Sequence, residues 1–487
     1  MSRIWTLEEL CHALSHCRRE GGPASISGIS FDSREVRSGD LFAALPGVQS
    51  EGLDYLEQAL SRGAVAVLAP STATLPRDLP ALLCDYPAES AGQVAHLLAG
   101  NPSRDWPLLA VTGTNGKSSS VFLLRHLLGQ EEEWGMLGSL SYETGLRKEE
   151  SSHTTPDALR LSTFLREMRD SGFAGAVMEA SSHALEQSRL AGCKVHAALF
   201  TNLSRDHLDY HGSMEDYFEA KLLLLGLLGD RAPCLYNRDD EWMKQVGKVH
   251  PGALSFGHHK EADYRILEED CSAEGSRMRM SFAGEGERDF FSPLPGRFNG
   301  MNVAGALALA HAMGRDKDLL IDCLPTFVGV PGRMESWRLP SGARVLIDFA
   351  HTPDAVEKVC LAARPLCRGT LRILIGAGGD RDRGKRPQMA ALAASFGDHL
   401  ILSSDNPRSE DPERILDDME SGLDSSKYSW QRISSRSEAI ARACAECEDG
   451  DLLLLLGKGD ETCQEIAGER IPFRDSEEVQ KAGGRSD

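Results

Sequence analysis

The segment Gly113-Thr114-Asn115-Gly116-Lys117-Ser118-Ser119 holds the residue types that grip a phosphate chain. Glycines let backbone N–H groups close around phosphate oxygens. A following helix adds the positive end of its dipole, and Lys117 can reach the terminal phosphates. Ser118 carries a hydroxyl of the kind that such loops offer to Mg²⁺. The usual loop has glycine where this chain has Val111, so the pattern is a variant. It follows the apolar run Leu108-Leu109-Ala110-Val111, which reads as a strand, and opens a helix-like segment.

Further polar sets end other apolar runs. Glu179 lies in Met178-Glu179-Ala180-Ser181-Ser182-His183, and His207 in Asn202-Leu203-Ser204-Arg205-Asp206-His207-Leu208-Asp209. A carboxylate and an imidazole on the phosphate side of a sheet could hold the cation that a nucleotide brings. Either residue alone reads equally well as a satisfied polar strand end. Lys221, read alone, is a solvated helix lysine. Toward the C-terminus stands Asp348-Phe349-Ala350-His351-Thr352-Pro353-Asp354. A Gly-rich turn from Gly376 to Pro387 carries four basic residues, Arg381, Arg383, Lys385 and Arg386. Guanidinium forks suit carboxylate or phosphate, although a solvated charged loop is the plainer reading. Asp405-Asn406-Pro407-Arg408 and Gly457-Lys458-Gly459-Asp460-Glu461 bring both charge signs to strand ends, which fits a zwitterionic ligand.

These residues need a scaffold. The chain has 487 residues, enough for about three domains at ~150 residues each. Glycine, at 47 residues, is in excess, as expected where backbone must approach a ligand. The 53 basic and 73 acidic residues give a net charge of −20, which argues against a nucleic-acid coat or an anionic membrane surface as main partner. No apolar run approaches the ~20 residues of a membrane span, and the acidic N-terminus does not read as an export signal. The 12 cysteines are scattered and expected as free thiols; the one CxxC, Cys444 to Cys447, lacks the second pair a structural zinc site needs.

Strand-like runs occur at Asp40 to Leu45 and Ala64 to Leu68 in a first block. A second block, from Trp106, has Leu108 to Val111, Ala174 to Met178, Ala197 to Phe200 and Cys234 to Tyr236. A third, after Pro331-Gly332, has Val345 to Ile347, Leu371 to Ile375, His399 to Leu402 and Leu452 to Leu456. Short apolar runs alternating with helix-like stretches predict parallel α/β sheets, whose ligands bind beyond the carboxyl ends of the strands.

The ordered set of motifs resembles the Mur ligases of peptidoglycan synthesis. The likeness runs from Asp32-Ser33-Arg34 with Gly39-Asp40-Leu41-Phe42, through the Gly-Thr-Asn-Gly-Lys loop, to Gly457-Lys458-Gly459. It is similar to the members that add a diamino acid to UDP-N-acetylmuramoyl-L-alanyl-D-glutamate, and Asp405-Asn406-Pro407-Arg408 is similar to the motif of those that use meso-diaminopimelate.

The resemblance implies an α/β fold of three domains. A UDP-substrate domain spans 1–104, a central P-loop parallel-sheet ATPase domain 105–331, and a C-terminal Rossmann-like amino-acid domain 332–487. It implies UDP-substrate contacts at Phe31, Ser33, Val48, Gln49, Ser50, Thr154, Thr155, Ser181, Gln187 and Arg189. ATP contacts are implied at Gly113 to Ser119, Asn302, Arg333 and Asp348. Ser118, Glu179 and His207 match Mg²⁺ ligands, together with Lys221 as a carbamate, which reverses the solvated reading of that lysine. Lys117, Glu179, His207 and Lys221 form the implied catalytic set. Arg381, Asp405, Asn406, Pro407, Arg408, Gly457 and Glu461 match the diaminopimelate site. Asp460 stands where the family usually has His, and Phe349 where it usually has Tyr.

The implied reaction is ATP-driven amide formation, with ATP and Mg²⁺ as cofactors. The expected partners are a UDP-N-acetylmuramoyl dipeptide and meso-diaminopimelate, without nucleic acid or membrane insertion, in a cytoplasmic monomer. Rival readings are a ligase adding lysine and a folate-extending relative, the latter opposed by Asp32-Ser33-Arg34. A P-loop regulatory ATP-binding module would leave the first and third blocks without a small-molecule task.

Overall fold

The computed structural model describes residues 3–47, 51–272 and 274–486. Val48, Gln49 and Ser50, expected at the UDP-substrate site, lie outside them. By contacts the chain divides into two units. One holds Met1–Thr112, Leu128–Phe200 and Glu215–Cys234; the other holds Gly113–Leu127, Thr201–Met214 and Leu235–Asp487.

The first unit begins with a five-stranded sheet in the order Cys17–Glu20, Ala81–Cys84, Ala66–Pro70, Asp40–Ala43, Gly28–Ser30. All pairings are parallel except that of Cys17–Glu20 with Ala81–Cys84. Its three inner strands are buried on both faces. Leu41, Ala43 and Leu68 face one core, and Phe42, Val67 and Ala69 the other. The run expected from Ala64 starts instead at Ala66, because Gly63, at φ 108, still turns the chain there. In the same unit, Trp134–Leu137, Gly175–Glu179, Leu108–Thr112 and Ala197–Phe200 lie parallel in that order. Ser141–Glu143 and Lys148–Glu150 extend them antiparallel.

In the second unit, Cys234–Asn237, Leu254–Gly257 and the start of Tyr264–Ser272 pair parallel. Tyr264–Ser272, Gly275–Phe282 and Gly286–Ser292 then form an antiparallel meander that the sequence pattern did not announce. The long helix Arg297–Ala312 carries Asn302.

The second unit ends in a seven-stranded sheet. Its parallel part runs Trp430–Arg432, His399–Leu402, Leu371–Ile375, Leu452–Leu456, Arg344–Asp348. The leucine strand explains itself by alternation. Leu452, Leu454 and Leu456 face one core, and Leu453 and Leu455 the other. Helices cover both faces, so every position of the strand must be apolar. Because the strands are parallel, the loops after Asp348, Ile375, Leu402 and Leu456 leave the same edge.

Cys444 and Cys447 are buried, unbridged thiols, and burial pushes them up to about 12 and about 11. The expectation of free thiols is corrected at Cys17 and Cys84. Strand register sets them opposite each other, and the structure joins them in a disulfide. No helix among the described residues is long and apolar enough to cross a membrane.

Candidate active site

The phosphate loop is built as its residue types require. Helix Lys117–Leu128 starts where the loop ends. Gly113 has φ 145, and a Cβ there would stand 1.9 Å from Thr201 Oγ1. Gly116 has φ 83, and its Cβ would meet Asn302 Oδ1 at 2.2 Å. Both glycines are therefore fixed by conformation and by space. The second contact also brings the expected nucleotide residue Asn302 to the loop. Lys117 Nζ donates to the carbonyls of Gly113 at 3.0 Å and Thr114 at 2.8 Å. Ser118 and Ser119 are buried beside it.

A second loop, which the sequence reading did not assign to this task, braces the first. Thr114 N–H donates to Asn202 O at 2.8 Å, and Asn115 N–H to Asn202 Oδ1 at 3.0 Å. Thr201 Oγ1 donates to Asn115 O at 2.7 Å. His207 follows in the same loop in a left-handed conformation, φ 53. Its backbone N–H donates to Asp206 Oδ1 at 3.0 Å. Burial alone would raise the Asp206 carboxyl, but the nearby His207, His351 and Lys385 outweigh it and hold it low.

In the first unit, Glu179 ends its strand with a buried carboxylate that accepts from Ser139 twice. The backbone N–H lies at 2.8 Å from Oε1, and the hydroxyl at 3.2 Å from Oε2. Ser139 Oγ also lies 3.1 Å from Thr154 Oγ1. Thr155 Oγ1 donates to Glu179 O at 2.8 Å and accepts from the Ser181 N–H at 3.1 Å. Arg189 donates to Thr155 O at 3.0 Å and to Gln187 Oε1 at 2.7 Å. Thr154, Thr155, Glu179, Ser181, Gln187 and Arg189 thus form one connected network. Ser139 is its unforeseen member. No motif marked it, since its role comes from the loop after Trp134–Leu137. Phe31 packs on the N-terminal core, and Ser33 donates to Gln58 Oε1 at 2.6 Å. Lys221 is fully buried on helix Met214–Leu222, its ammonium 4.3 Å from the Tyr217 ring centroid.

The C-terminal sheet places the remaining residues on its carboxyl edge. Asp348 accepts from the Met334 N–H at 2.8 Å and the Ala350 N–H at 2.9 Å. Burial pushes its carboxyl up to about 6, against the pull of Arg333. Arg333 lies over the Phe349 ring, 4.3 Å from its centroid. This contact needs the ring face and not a tyrosine hydroxyl, so Phe349 keeps it.

Asp405 and Asn406 are buried, and Asn406 Nδ2 donates to Glu461 Oε2 at 2.6 Å. Gly457, φ 110, has no Cβ to crowd Asp405 Oδ2, which such an atom would meet at 3.1 Å. Arg408 is already partnered on one side. Its Nη1 donates to Gly379 O at 2.7 Å, and Nε lies 3.3 Å from Glu465. Arg381 is exposed on the neighbouring loop. That loop is anchored from below by Arg386, which is wholly buried and donates to Gly378 O, Glu410 and Asp418. The pairing with Arg386 holds the Glu410 carboxyl down at about 2.

Among the described residues, no three histidine, cysteine, aspartate or glutamate side chains gather as metal ligands. Of the four expected Mg²⁺ donors only Glu179 and His207 are of those types, the others being a hydroxyl and a modified lysine.

Known proteins match this chain along its length. Residues 25–86 match the catalytic domain of the Mur ligase family, 111–310 the Mur ligase middle domain, and 332–459 the glutamate ligase domain of Mur ligases. A UDP-N-acetylmuramoyl-L-alanyl-D-glutamate--2,6-diaminopimelate ligase of Synechococcus sp. (strain WH7803) is 41% identical over 478 residues, covering 94% of this chain and 95% of that one. The protein of the same name in Aquifex aeolicus (strain VF5) is 38% identical over 461 residues, covering 94% of each. A solved structure of such a ligase is 36% identical with a TM-score of 0.68 and 94% of each chain covered. A UDP-N-acetylmuramoylalanyl-D-glutamyl-2,6-diaminopimelate--D-alanyl-D-alanyl ligase from Acinetobacter baumannii is only 16% identical, at a TM-score of 0.64 over 94% of this chain and 96% of that one, and so shows the fold alone. That fold is the three-domain α/β architecture expected from the sequence.

Proposed function

Since this chain belongs to the Mur ligase family, we propose that it joins meso-diaminopimelate to UDP-N-acetylmuramoyl-L-alanyl-D-glutamate at the expense of ATP, in the making of peptidoglycan precursors. The observation that carries the amino-acid choice is the meeting of two strand-end motifs, where Asn406 Nδ2 donates to Glu461 Oε2 with Asp405 and Arg408 beside them. Both charge signs stand there, as a zwitterion with a second carboxylate needs. The domain bounds are those read from the sequence, 1–104, 105–331 and 332–487. The enzyme acts as a monomer in the cytoplasm, where nucleotide-linked precursors and ATP are at hand.

The terminal carboxylate of the dipeptide attacks the γ-phosphate, giving an acyl phosphate and ADP. The amine of the incoming amino acid then attacks the acyl carbon, and phosphate leaves. A carboxylate is a poor electrophile, and phosphorylation supplies its leaving group. The chain's share is positioning and neutralisation of charge. Backbone N–H groups of the Gly113 to Ser119 loop, other than those of Thr114 and Asn115 that Asn202 takes, and the ammonium of Lys117 receive the phosphates. Asn302, Arg333 and Asp348 orient the nucleotide. Thr154, Thr155, Ser181, Gln187 and Arg189, with Phe31, Ser33 and the 48–50 stretch, hold the UDP-linked substrate.

Ser118, Glu179, His207 and Lys221 as its carbamate would hold Mg²⁺. Three oxygen donors, one nitrogen and no thiolate suit that hard ion. Bound there, Mg²⁺ supplies neutralisation of the phosphoryl charge. Carbamylation of Lys221 would replace a buried cation by an anion able to take part in such a site.

The test is ADP release and product mass with UDP-muramyl peptides and a panel of amino acids. ADP release requiring both co-substrates, and a product heavier by one diaminopimelate residue, are expected. Turnover of ATP without either co-substrate would point to the regulatory module instead.

A further inference from the structure

Lys458 is wholly buried, yet its ammonium is fully engaged. It donates to Glu461 Oε2 at 2.8 Å, to Cys463 O at 2.8 Å and to Asn406 Oδ1 at 3.2 Å. Asp405 Oδ1 lies 3.6 Å away. The Phe473 ring centroid lies 5.9 Å from it and closes the apolar side. An ammonium has three donors, and three acceptors take them.

We propose that Lys458 is a positioning residue of the amino-acid site, whose ammonium ties Asn406 of one strand-end loop to Glu461 of the next and so fixes the pocket that receives the diamino acid. The inference rests on the amino-acid-site reading above and adds a residue to it. Being buried, Lys458 touches no substrate; it acts through the two side chains it holds.

The geometry shows why an apolar residue would not serve. Asn406 Oδ1 accepts from Lys458 and from the Glu465 N–H at 3.0 Å, while its Nδ2 donates to Glu461. These partners fix which way round the amide stands. The groups facing Glu461 are Asp405, Lys458, Asn406 and, at longer range, Arg436, which is itself paired with Asp475. Take away Lys458, and the buried Asp405 and the half-buried Glu461 are two neighbouring carboxylates with no shared cation. Burial and Asp405 already push the Glu461 carboxyl up, and Lys458 is the main force against them.

The experiment is steady-state kinetics of Lys458→Met, a near-isosteric change without the charge. KM for diaminopimelate should rise about 30-fold or more, the effect of removing one partner of a buried hydrogen-bonded charge pair. KM for ATP and for the UDP-linked substrate should stay near wild type. The acid limb of kcat/KM for the amino acid should move to higher pH, because Glu461 loses its cation. A purely structural lysine would lower thermal stability or the active fraction and leave both readouts unmoved; that result overturns the proposal. If Lys458→Met does not fold, Lys458→Gln keeps a donor without the charge, and the same criteria apply to it. Should wild type take lysine and not diaminopimelate, the substrate reading falls. The same KM split, measured with lysine, then decides the role of Lys458.

Discussion

Asn115 of the phosphate loop donates its side-chain N–H to Asp354 at 2.8 Å, across 239 residues of chain. The same carboxylate accepts from Ser204 Oγ at 2.9 Å and from Lys358 Nζ at 2.9 Å. One residue of the C-terminal block thereby fastens both the Gly113–Ser119 loop and the loop that braces it. Asp354→Ala should lower kcat about tenfold and raise KM for ATP. A double-mutant cycle with Asn115→Ala should give a coupling of about 1–2 kcal/mol, since one charge-assisted hydrogen bond is shared. Strictly additive effects would show that the contact does no work in turnover.

Lys221→Ala should cost ~10²-fold or more in kcat, the usual loss when charge stabilisation of a transferring group is removed. A short-chain carboxylic acid should restore part of it by standing in for the carbamate. Wild type stripped of carbon dioxide should lose activity and regain it with bicarbonate. Full activity of the unmodified lysine, checked by intact mass, would end the carbamate assignment.

Arg408 should reject lysine in favour of diaminopimelate. Its Nη1 and Nε are committed to Gly379 and Glu465, so the guanidinium is held in place before substrate arrives. A site built for a carboxylate disfavours a ligand lacking it by up to ~10⁴-fold. Asp460 pulls the other way, but Arg381 adds a second positive group on the neighbouring loop. Arg408→Ala should lose most activity with diaminopimelate and narrow the gap to lysine. The comparison is kcat/KM for both amino acids on both proteins; equal use of lysine by wild type would defeat the specificity claim.

Asp348 should make stability depend on pH. Its carboxyl sits at about 6 in the fold against an ordinary 3.8. A raised carboxyl contributes stability in its protonated form, present in full below about pH 4 and lost as pH rises through about 6. The size is on the order of 3 kcal/mol for a shift of about two units. Denaturant unfolding of wild type and Asp348→Asn between pH 4 and pH 8 should show the wild type losing ground by that amount. Parallel pH curves would refute it.

The parallel strands were legible because burial on both faces leaves little room for polar residues. Leu452–Leu456 and Leu371–Ile375 appear in the sequence with the bounds the fold gives them, since alternate residues meet different cores, Arg372 excepted, which pairs with Asp451. The meander was not legible, because one face carries Glu268, Asp270, Arg277 and Arg279, which mask the apolar face of Ile266, Met278 and Met280. The phosphate loop announced itself through its glycines. Asn202, Ser139, Asp354 and Lys458 did not, since each acquires its role from a partner that only the fold brings near. The Cys17–Cys84 bridge was hidden for the same reason, its halves being 67 residues apart and joined by strand register.

The leucine strand also sets a hazard in biosynthesis. Its neighbours on both sides, Arg344–Asp348 and Leu371–Ile375, leave the ribosome first, and each then shows an unpaired edge until Leu452–Leu456 arrives. Parallel pairing over such a separation is slow. The late strand is an uncharged apolar run of the type that aggregates, and natural chains flank such runs with charged gatekeepers. Here Asp449 and Asp451 stand before it and Lys458 two residues after it. A lysine that orders the finished site thus also guards the nascent chain, and substitutions there should be judged by soluble yield at synthesis as well as by the behaviour of the purified enzyme.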